Sequence, residues 1–275
     1  MTQSFPLYQV DAFAEGVFSG NPAAVVPLDS WLPDATLLAI AAENNLSETA
    51  FFVPLPASRD GEERGYHLRW FTPTFEIDLC GHATLATAFV LFCELGFSGA
   101  RLRFESKSGP LFVEKDCDQN DGLLTLDFPS WPPKPVAITG AMTRAFGAQP
   151  LEAYALRDLL CVFADEDVVR NMSPDLAAFH ELPYVCNIAS APGRPGGGLD
   201  FVSRVFCPEV GIPEDPVTGS AHSLLTPFWA ARLGKARLSA FQASSRGGRL
   251  FCELQGDRVR IAGRAALYLR GTIFV

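Results

Sequence analysis

Short runs of apolar residues, some alternating with polar ones, punctuate the first half of the chain. Those at Leu7–Ala12, Ala23–Pro27, Ala50–Val53, His67–Phe71, Leu102–Glu105, Leu111–Glu114 and Leu123–Phe128 predict strands. Pro33 to Asn45 predicts a helix, with proline at its first turn and Asn45 as a left-handed stop. The run Ala83–Cys93 carries no charge on any face, so a helix there must be enclosed all round. Strands wrapped on one apolar helix satisfy both patterns. In the second half, Ala141–Phe146 and Pro174–Phe179 predict helices, and Pro192–Gly198 a surface loop.

The pattern also repeats. Arg69-Trp70-Phe71-Thr72-Pro73 returns as Arg204-Val205-Phe206-Cys207-Pro208, both R-x-F-x-P. Beyond each copy a glycine, Gly81 or Gly219, opens a helical run that stops at Leu95-Gly96 or Leu233-Gly234. Ser106-Lys107-Ser108-Gly109-Pro110-Leu111-Phe112-Val113-Glu114 is echoed by Ser245-Arg246-Gly247-Gly248-Arg249-Leu250-Phe251-Cys252-Glu253. Three blocks in one order, offset by roughly 135 to 139 residues, predict two copies of one α+β unit. The expected halves are 1–128, around a helix at 81–95, and 129–275, around a helix at 219–233. Pro129–Pro135 is the linker, and the last strand is free to return to the first half.

Composition narrows the partners. Of 275 residues 48% are apolar, with 22 Phe against 5 Tyr, enough to bury a sizeable core. Formal net charge is −9 with no basic block, which argues against nucleic acid and polyanionic surfaces. The N-terminus lacks the basic-then-apolar order of a signal peptide, and no run reaches the length of a membrane span. Seven cysteines without C-x-x-C read as reduced thiols of a cytoplasmic protein; only Cys80-Gly81-His82 has any metal-ligand spacing. No G-x-G-x-x-G and no phosphate-loop motif occurs.

The chemistry gathers at the two repeated helix starts. Each offers backbone N–H groups without helical acceptors, and glycine permits close approach, so a carboxylate is the natural guest. If a pseudo-two-fold axis relates the halves, both starts face one cleft between them. His82 follows Gly81, and Asp215 precedes Gly219 and Ser220. Glu48 enters an apolar strand, where lost hydration raises a carboxyl pKa and suits it to proton transfer. Ordinary readings stay open: a solvated strand-end Glu48, a turn residue at Asp215, a satisfied first-turn His82, and glycines that only permit tight turns. Asp215, Ser220 and His222 lack the G-x-S-x-G context and spacing of a hydrolase triad.

Val10-Asp11-Ala12-Phe13, Gly20-Asn21-Pro22-Ala23, Asn45-Leu46-Ser47-Glu48-Thr49-Ala50-Phe51, Asp78-Leu79-Cys80-Gly81-His82-Ala83-Thr84 and Glu214-Asp215-Pro216-Val217-Thr218-Gly219-Ser220-Ala221 together resemble the PhzF family, named for phenazine biosynthesis. The resemblance spans nearly the whole chain. It implies the duplicated fold of diaminopimelate epimerase, two barrel-like halves each around a central helix, working without cofactor or metal. It implies Glu48 as acid/base flanked by His82 and Asp215, and Ser47, Gly81, Gly219 and Ser220 as the substrate-binding set. The family's phenazine enzyme isomerises trans-2,3-dihydro-3-hydroxyanthranilate; the implied reaction here is proton transfer on a small carboxylic acid, in a homodimer. Two positions depart from the pattern. The partner thiol of a two-cysteine epimerase falls at or beside Pro216, leaving Cys80 as a packed thiol, and Ala83 replaces the phenazine enzyme's proline. Two further readings remain: a non-catalytic small-acid binding or regulatory protein, and a racemase acting through Cys80.

Overall fold

The computed structural model describes residues 2–56, 65–115 and 122–275, which divide into two compact units, 1–127 with 262–275, and 128–261. The first unit contains β1 (Ser4–Ala12), β2 (Asn21–Pro27), α1 (Asp34–Asn44), β3 (Glu48–Pro54), β4 (Gly65–Phe71), β5 (Glu76–Ile77), α2 (Gly81–Phe89), β6 (Arg101–Ser106), β7 (Gly109–Lys115) and β8 (Leu124–Pro129). β2 runs parallel to β3 across α1, β3 antiparallel to β4, β4 antiparallel to β5 but parallel to β6, and β6 antiparallel to β7.

Helix α1 forms where the pattern places it. Pro33 precedes it, Asp34 favours its positive end, and Asn45 ends it at φ 50°. Leu37, Ile40 and Ala41, at helical spacing, bury against Val26, Leu28, Phe51 and Phe71. α2 is buried from Gly81 to Ala88 and packs on β1, β2, β3 and β7. Its hydroxyls are satisfied internally: Thr84 Oγ1 donates to the Cys80 carbonyl at 2.5 Å and Thr87 Oγ1 to that of Ala83 at 2.7 Å. The helix expected to reach residue 95 is α-helical only to Phe89. Val90–Glu94 form a π-turn, in which Leu95 N–H bonds the Val90 carbonyl at 2.9 Å.

The second unit contains β9 (Lys134–Val136), α3 (Gly140–Phe146), β10 (Glu152–Ala155), β11 (Leu159–Val162), α4 (Glu166–Asn171), β12 (Asn187–Pro192), β13 (Phe201–Cys207), β14 (Ile212–Asp215), α5 (His222–Leu233), β15 (Arg237–Gln242), β16 (Gly248–Gln255) and β17 (Arg258–Gly263). Its pairing repeats the first unit's: β11 parallel to β12, β12 antiparallel to β13, β13 antiparallel to β14 but parallel to β15, and β15 antiparallel to β16. The final strand, β18 (Ala265–Phe274), lies antiparallel to β1 in the first unit. Residues 262–275 therefore belong with the first unit, and the second ends at Ile261 rather than at the C-terminus.

The repeated R-x-F motif has one physical job in both units. Arg69 on β4 grips Glu76 on β5 with Nε and a terminal nitrogen, at 2.7 and 2.9 Å. Arg204 on β13 grips Glu214 on β14 at the same two distances. Each guanidinium lies over the phenylalanine two residues on, Phe71 at 5.0 Å and Phe206 at 5.1 Å. The fork ties down the strand that leads into the central helix.

Three local expectations change. The linker includes a strand, since Lys134–Val136 pairs with β10. Residues 177–181 form a 3₁₀ turn in place of a helix over 174–179. The second central helix starts at His222 rather than Gly219, because 219–224 begin as i to i+3 turns: His222 N–H reaches the Gly219 carbonyl and Ser223 N–H that of Ser220. Within α5, Pro227 cannot donate to the Ser223 carbonyl, and Trp131 N–H takes that acceptor at 2.8 Å. Much of the phenylalanine is core, as in the cluster of Phe146, Phe163, Phe179 and Phe206.

Candidate active site

In the first unit the start of β3 and the start of α2 meet. Glu48, the first residue of β3, is 6% exposed, and His82, the second of α2, 4%. Glu48 Oε2 and His82 Nε2 lie 3.1 Å apart. The contact runs off the ring N–H direction, so neither buried atom has an aligned hydrogen bond among the described residues. On the ring's other edge, Nδ1 meets Asn21 Nδ2 at 3.1 Å and Cys80 Sγ at 3.5 Å. An amide that donates to Nδ1 leaves the neutral ring's proton on Nε2, facing the carboxylate. Gly20 sets Asn21 in place: its φ is +66°, and a Cβ there would lie 2.2 Å from the Ala12 carbonyl oxygen.

Electrostatics separate the two candidate bases. Burial pushes the Cys80 thiol up, with Glu48 adding to it, to about 11. It stays protonated near neutrality. Burial opposes charge on His82, yet the imidazole is held well above its ordinary value. Cys80 is the larger raising influence and Glu48 the second; with the thiol protonated near neutrality, the carboxylate is the charge that remains. Glu48, Cys80 and His82 offer ligand atoms within 4.8 Å of one another. However, the thiol faces Nδ1 and the carboxylate Nε2, on opposite edges of the ring. The donor set suits a proton relay better than a metal.

The other expected residues of this unit, and the acids Asp11 and Asp78 of its motifs, sort by position. The N–H groups of Gly81 and His82 have no acceptor among the described residues. Gly81 lacks a positive φ, so backbone strain does not explain glycine there. Ser47 is half-buried, between α1 and β3. Asp11 is committed to a turn, accepting Phe18 N–H at 2.8 Å, and Asp78 is exposed. Cys117 lies outside the described residues.

The second unit builds a different constellation. Asp215 ends β14, 7% exposed, and its Oδ2 accepts the Thr218 hydroxyl at 2.5 Å. Gln242 binds the turn from the side: its Oε1 accepts Thr218 N–H at 2.8 Å, while Nε2 donates to the Asp215 carbonyl at 2.7 Å. Gly219 is buried and Ser220 half-buried, and their N–H groups have no acceptor among the described residues. His222 Nδ1 bonds to the Thr218 carbonyl at 2.9 Å, not to Asp215, so no hydrolase triad forms. Burial pushes His222 down to about 4, leaving it neutral. Pro216, which stands where an epimerase's second thiol was expected, accepts Ser244 Oγ on its carbonyl at 2.7 Å.

Register shows how the repeats diverged. β3 opens with Glu48, opposite Ala23 of β2; β12 opens with Asn187, opposite Leu159 of β11. Asn187 thus holds the place of Glu48, and by the helix offset Ser220 holds that of His82. The acid and imidazole occur once and their counterparts cannot titrate. Gln242 and Asn187 are polar groups at or beside these positions that sequence motifs assigned no role, whereas Asn21 lies within the Gly20-Asn21-Pro22-Ala23 motif. Asn187 carried no signal beyond an amide opening an apolar strand.

Two units of one topology, with one acid–imidazole pair, define a duplicated α+β protein with a single buried acid–base pair. The family described as phenazine biosynthesis-like protein (PhzC-PhzF) matches residues 10–271. A Pseudomonas aeruginosa protein named as an uncharacterized isomerase is 51% identical over 267 residues, 97% of this chain and 98% of its own. A crystal structure of a phenazine biosynthesis protein of the PhzF family from Enterococcus faecalis matches with TM-score 0.91 at 48% identity, covering 99% of this chain and 100% of that one. A hydroxyproline epimerase from Agrobacterium vitis, with trans-4-hydroxy-L-proline bound, shares the fold alone, at TM-score 0.61 and 12% identity over 99% and 93%. The chain belongs to the PhzC-PhzF family. Among the described residues no helix is long and apolar enough to cross a membrane.

Proposed function

We propose that this isomerase moves a proton between two positions of a small carboxylic acid, without a cofactor, using Glu48 as the acid/base. One observation carries the reading: the buried Glu48 Oε2 and His82 Nε2 face each other at 3.1 Å without an aligned bond. Such a pair sets an imidazole nitrogen against a carboxylate in a buried site, where the ring can orient the acid toward a substrate. Glu48 takes a proton from carbon as the electron pair shifts along the substrate. The resulting carboxylic acid returns that proton at another carbon, restoring the carboxylate. His82 orients Glu48 and offers its Nε2 proton to charge that develops. A relay of this kind contributes about 10²–10⁴-fold.

The remaining assignments follow the chemistry of each group. In the first unit the N–H group of Gly81 suits a carboxylate, with Ser47 next to Glu48 in the chain; in the second, those of Gly219 and Ser220 do. Asp215, braced by Thr218, orients a polar substituent. Asn187, at the place of Glu48 in the other repeat, cannot act as a second base, which favours one-base isomerisation over two-base racemisation. Cys80, protonated near neutrality, is a poor base. The test is Glu48→Gln, which keeps the shape and removes the titrating group. Turnover falls by about 10²–10⁴-fold while calorimetric affinity for the acid stays within a few-fold. A variant of unchanged turnover excludes the role.

A further inference from the structure

Away from the acid–imidazole pair, β12 and β13 bring two thiols together. Asn187 pairs with Phe206 and Ile188 with Val205, so the next position outward sets Cys186 opposite Cys207. Opposed residues of an antiparallel pair have Cα atoms about 4.5–5.5 Å apart and side chains on one face. That spacing falls inside the roughly 4.4–6.8 Å a disulfide spans. Cys186 is half-buried beside exposed Val185, whereas Cys207 is 3% exposed. The two side chains interact: a hydrogen bond with Cys186, together with burial, holds the Cys207 thiol well above the usual thiol range. The Arg157 guanidinium, paired with Asp158, acts on both sulfurs electrostatically.

We infer that Cys186 and Cys207 form a redox-responsive dithiol, which a peroxide oxidises to an intramolecular disulfide. The more accessible Cys186 reacts first: its thiolate attacks the O–O bond, giving Cys186 sulfenic acid and a hydroxide that takes up a proton to become water. Cys207 then attacks the sulfenic sulfur, its thiol proton leaving with the departing hydroxide as a second water. Two thiols lose two electrons and two protons, and one peroxide is reduced to two waters. The bond closes the mouth of the β12–β13 ladder. Cys207 leads through the turn Pro208–Val210 into β14 and Asp215, whose charge already acts on it, so oxidation alters the surroundings of Asp215.

The test treats the folded protein with hydrogen peroxide, quenches with an alkylating agent, denatures, and maps peptides without reduction. The expected result is two fewer titratable thiols of the seven, a Cys186–Cys207 cross-linked peptide, and its reversal by dithiothreitol. Cys207→Ser keeps the first step and loses the second, so dimedone labels a persistent Cys186 sulfenic acid. Cys186→Ser loses the cross-link and the label. Because the wild-type map needs no variant, a misfolded substitution does not blunt the test. A map in which Cys207 stays alkylatable while Cys186 is overoxidised, or in which the cross-link joins other cysteines, overturns the inference.

Discussion

Glu48→Gln should invert the titration of His82. The two side chains touch at 3.1 Å in a buried site; Cys80 and then Glu48 hold the imidazole well above its ordinary value of 6.5, and with the thiol protonated near neutrality the carboxylate is the charge that remains. His222 shows what burial does without such a partner. Equally enclosed, its Nδ1 bonded only to a carbonyl, it is pushed down to about 4. That difference corresponds to about 3 kcal/mol against the charged ring. With glutamine at 48, His82 faces the same burial with no opposing charge, and its pKa should fall below 6.5. Stability follows with a change of sign. In the native protein the His82–Glu48 interaction is fully present below the unfolded value of about 6.5 and is lost as pH rises through the raised folded value. In the variant His82 instead costs stability as pH falls below about 6.5. Long-range ¹H–¹⁵N spectra of the four histidines, with His82 assigned by His82→Asn, measure the titration. Chemical denaturation across that pH range measures the slope. A His82 that still titrates above 6.5 in the variant refutes the reasoning, because the charge holding it there would not be Glu48.

Other expectations follow from the same contacts. Cys80→Ser should leave turnover within a few-fold, and iodoacetamide near pH 7 should leave Cys80 unmodified, since burial holds its thiol near 11; rapid alkylation with loss of activity contradicts this. Arg204→Ala strands the carboxylate of Glu214 and the Met172 carbonyl, which accepts Arg204 at 2.8 Å. It should cost about 3 kcal/mol in denaturant titration, with Arg69→Ala costing a similar amount; a loss below about 1 kcal/mol shows the forks to be surface pairs of little weight. Leu37→Ala, at a fully buried position of α1, should cost about 2–5 kcal/mol with no change in the His82 titration.

Much of this architecture is legible in the sequence because the repeat is physical. Arg69 and Arg204 recur with their phenylalanines because each bridges to a strand that feeds a central helix, and that requirement leaves the same letters twice. Asn45 marks the end of α1 because few residues accept the left-handed region. Glu48 and His82 were visible as an acid before an apolar run and a histidine after glycine. Their 3.1 Å approach was not, since it depends on β3 lying parallel to β2 beside α2. The start of α5 is not legible in the letters, because Thr218, Gly219 and Ser220 have the small, capping character of a helix opening while the backbone first takes tighter turns. The return of β18 to β1 leaves no local trace, because it is set by pairing between opposite ends of the chain. Cys186 and Cys207 read as two unrelated thiols until strand register sets them opposite each other.

Deuterium uptake reaches the proposed chemistry most directly. A panel of small carboxylic acids incubated with the protein in D₂O and followed by ¹H NMR should reveal at least one acid. That acid exchanges a carbon-bound proton and rearranges with the native chain, and does neither with Glu48→Gln. Saturable binding of acids with no deuterium entering any of them, or equal exchange by the glutamine variant, would contradict proton transfer by Glu48.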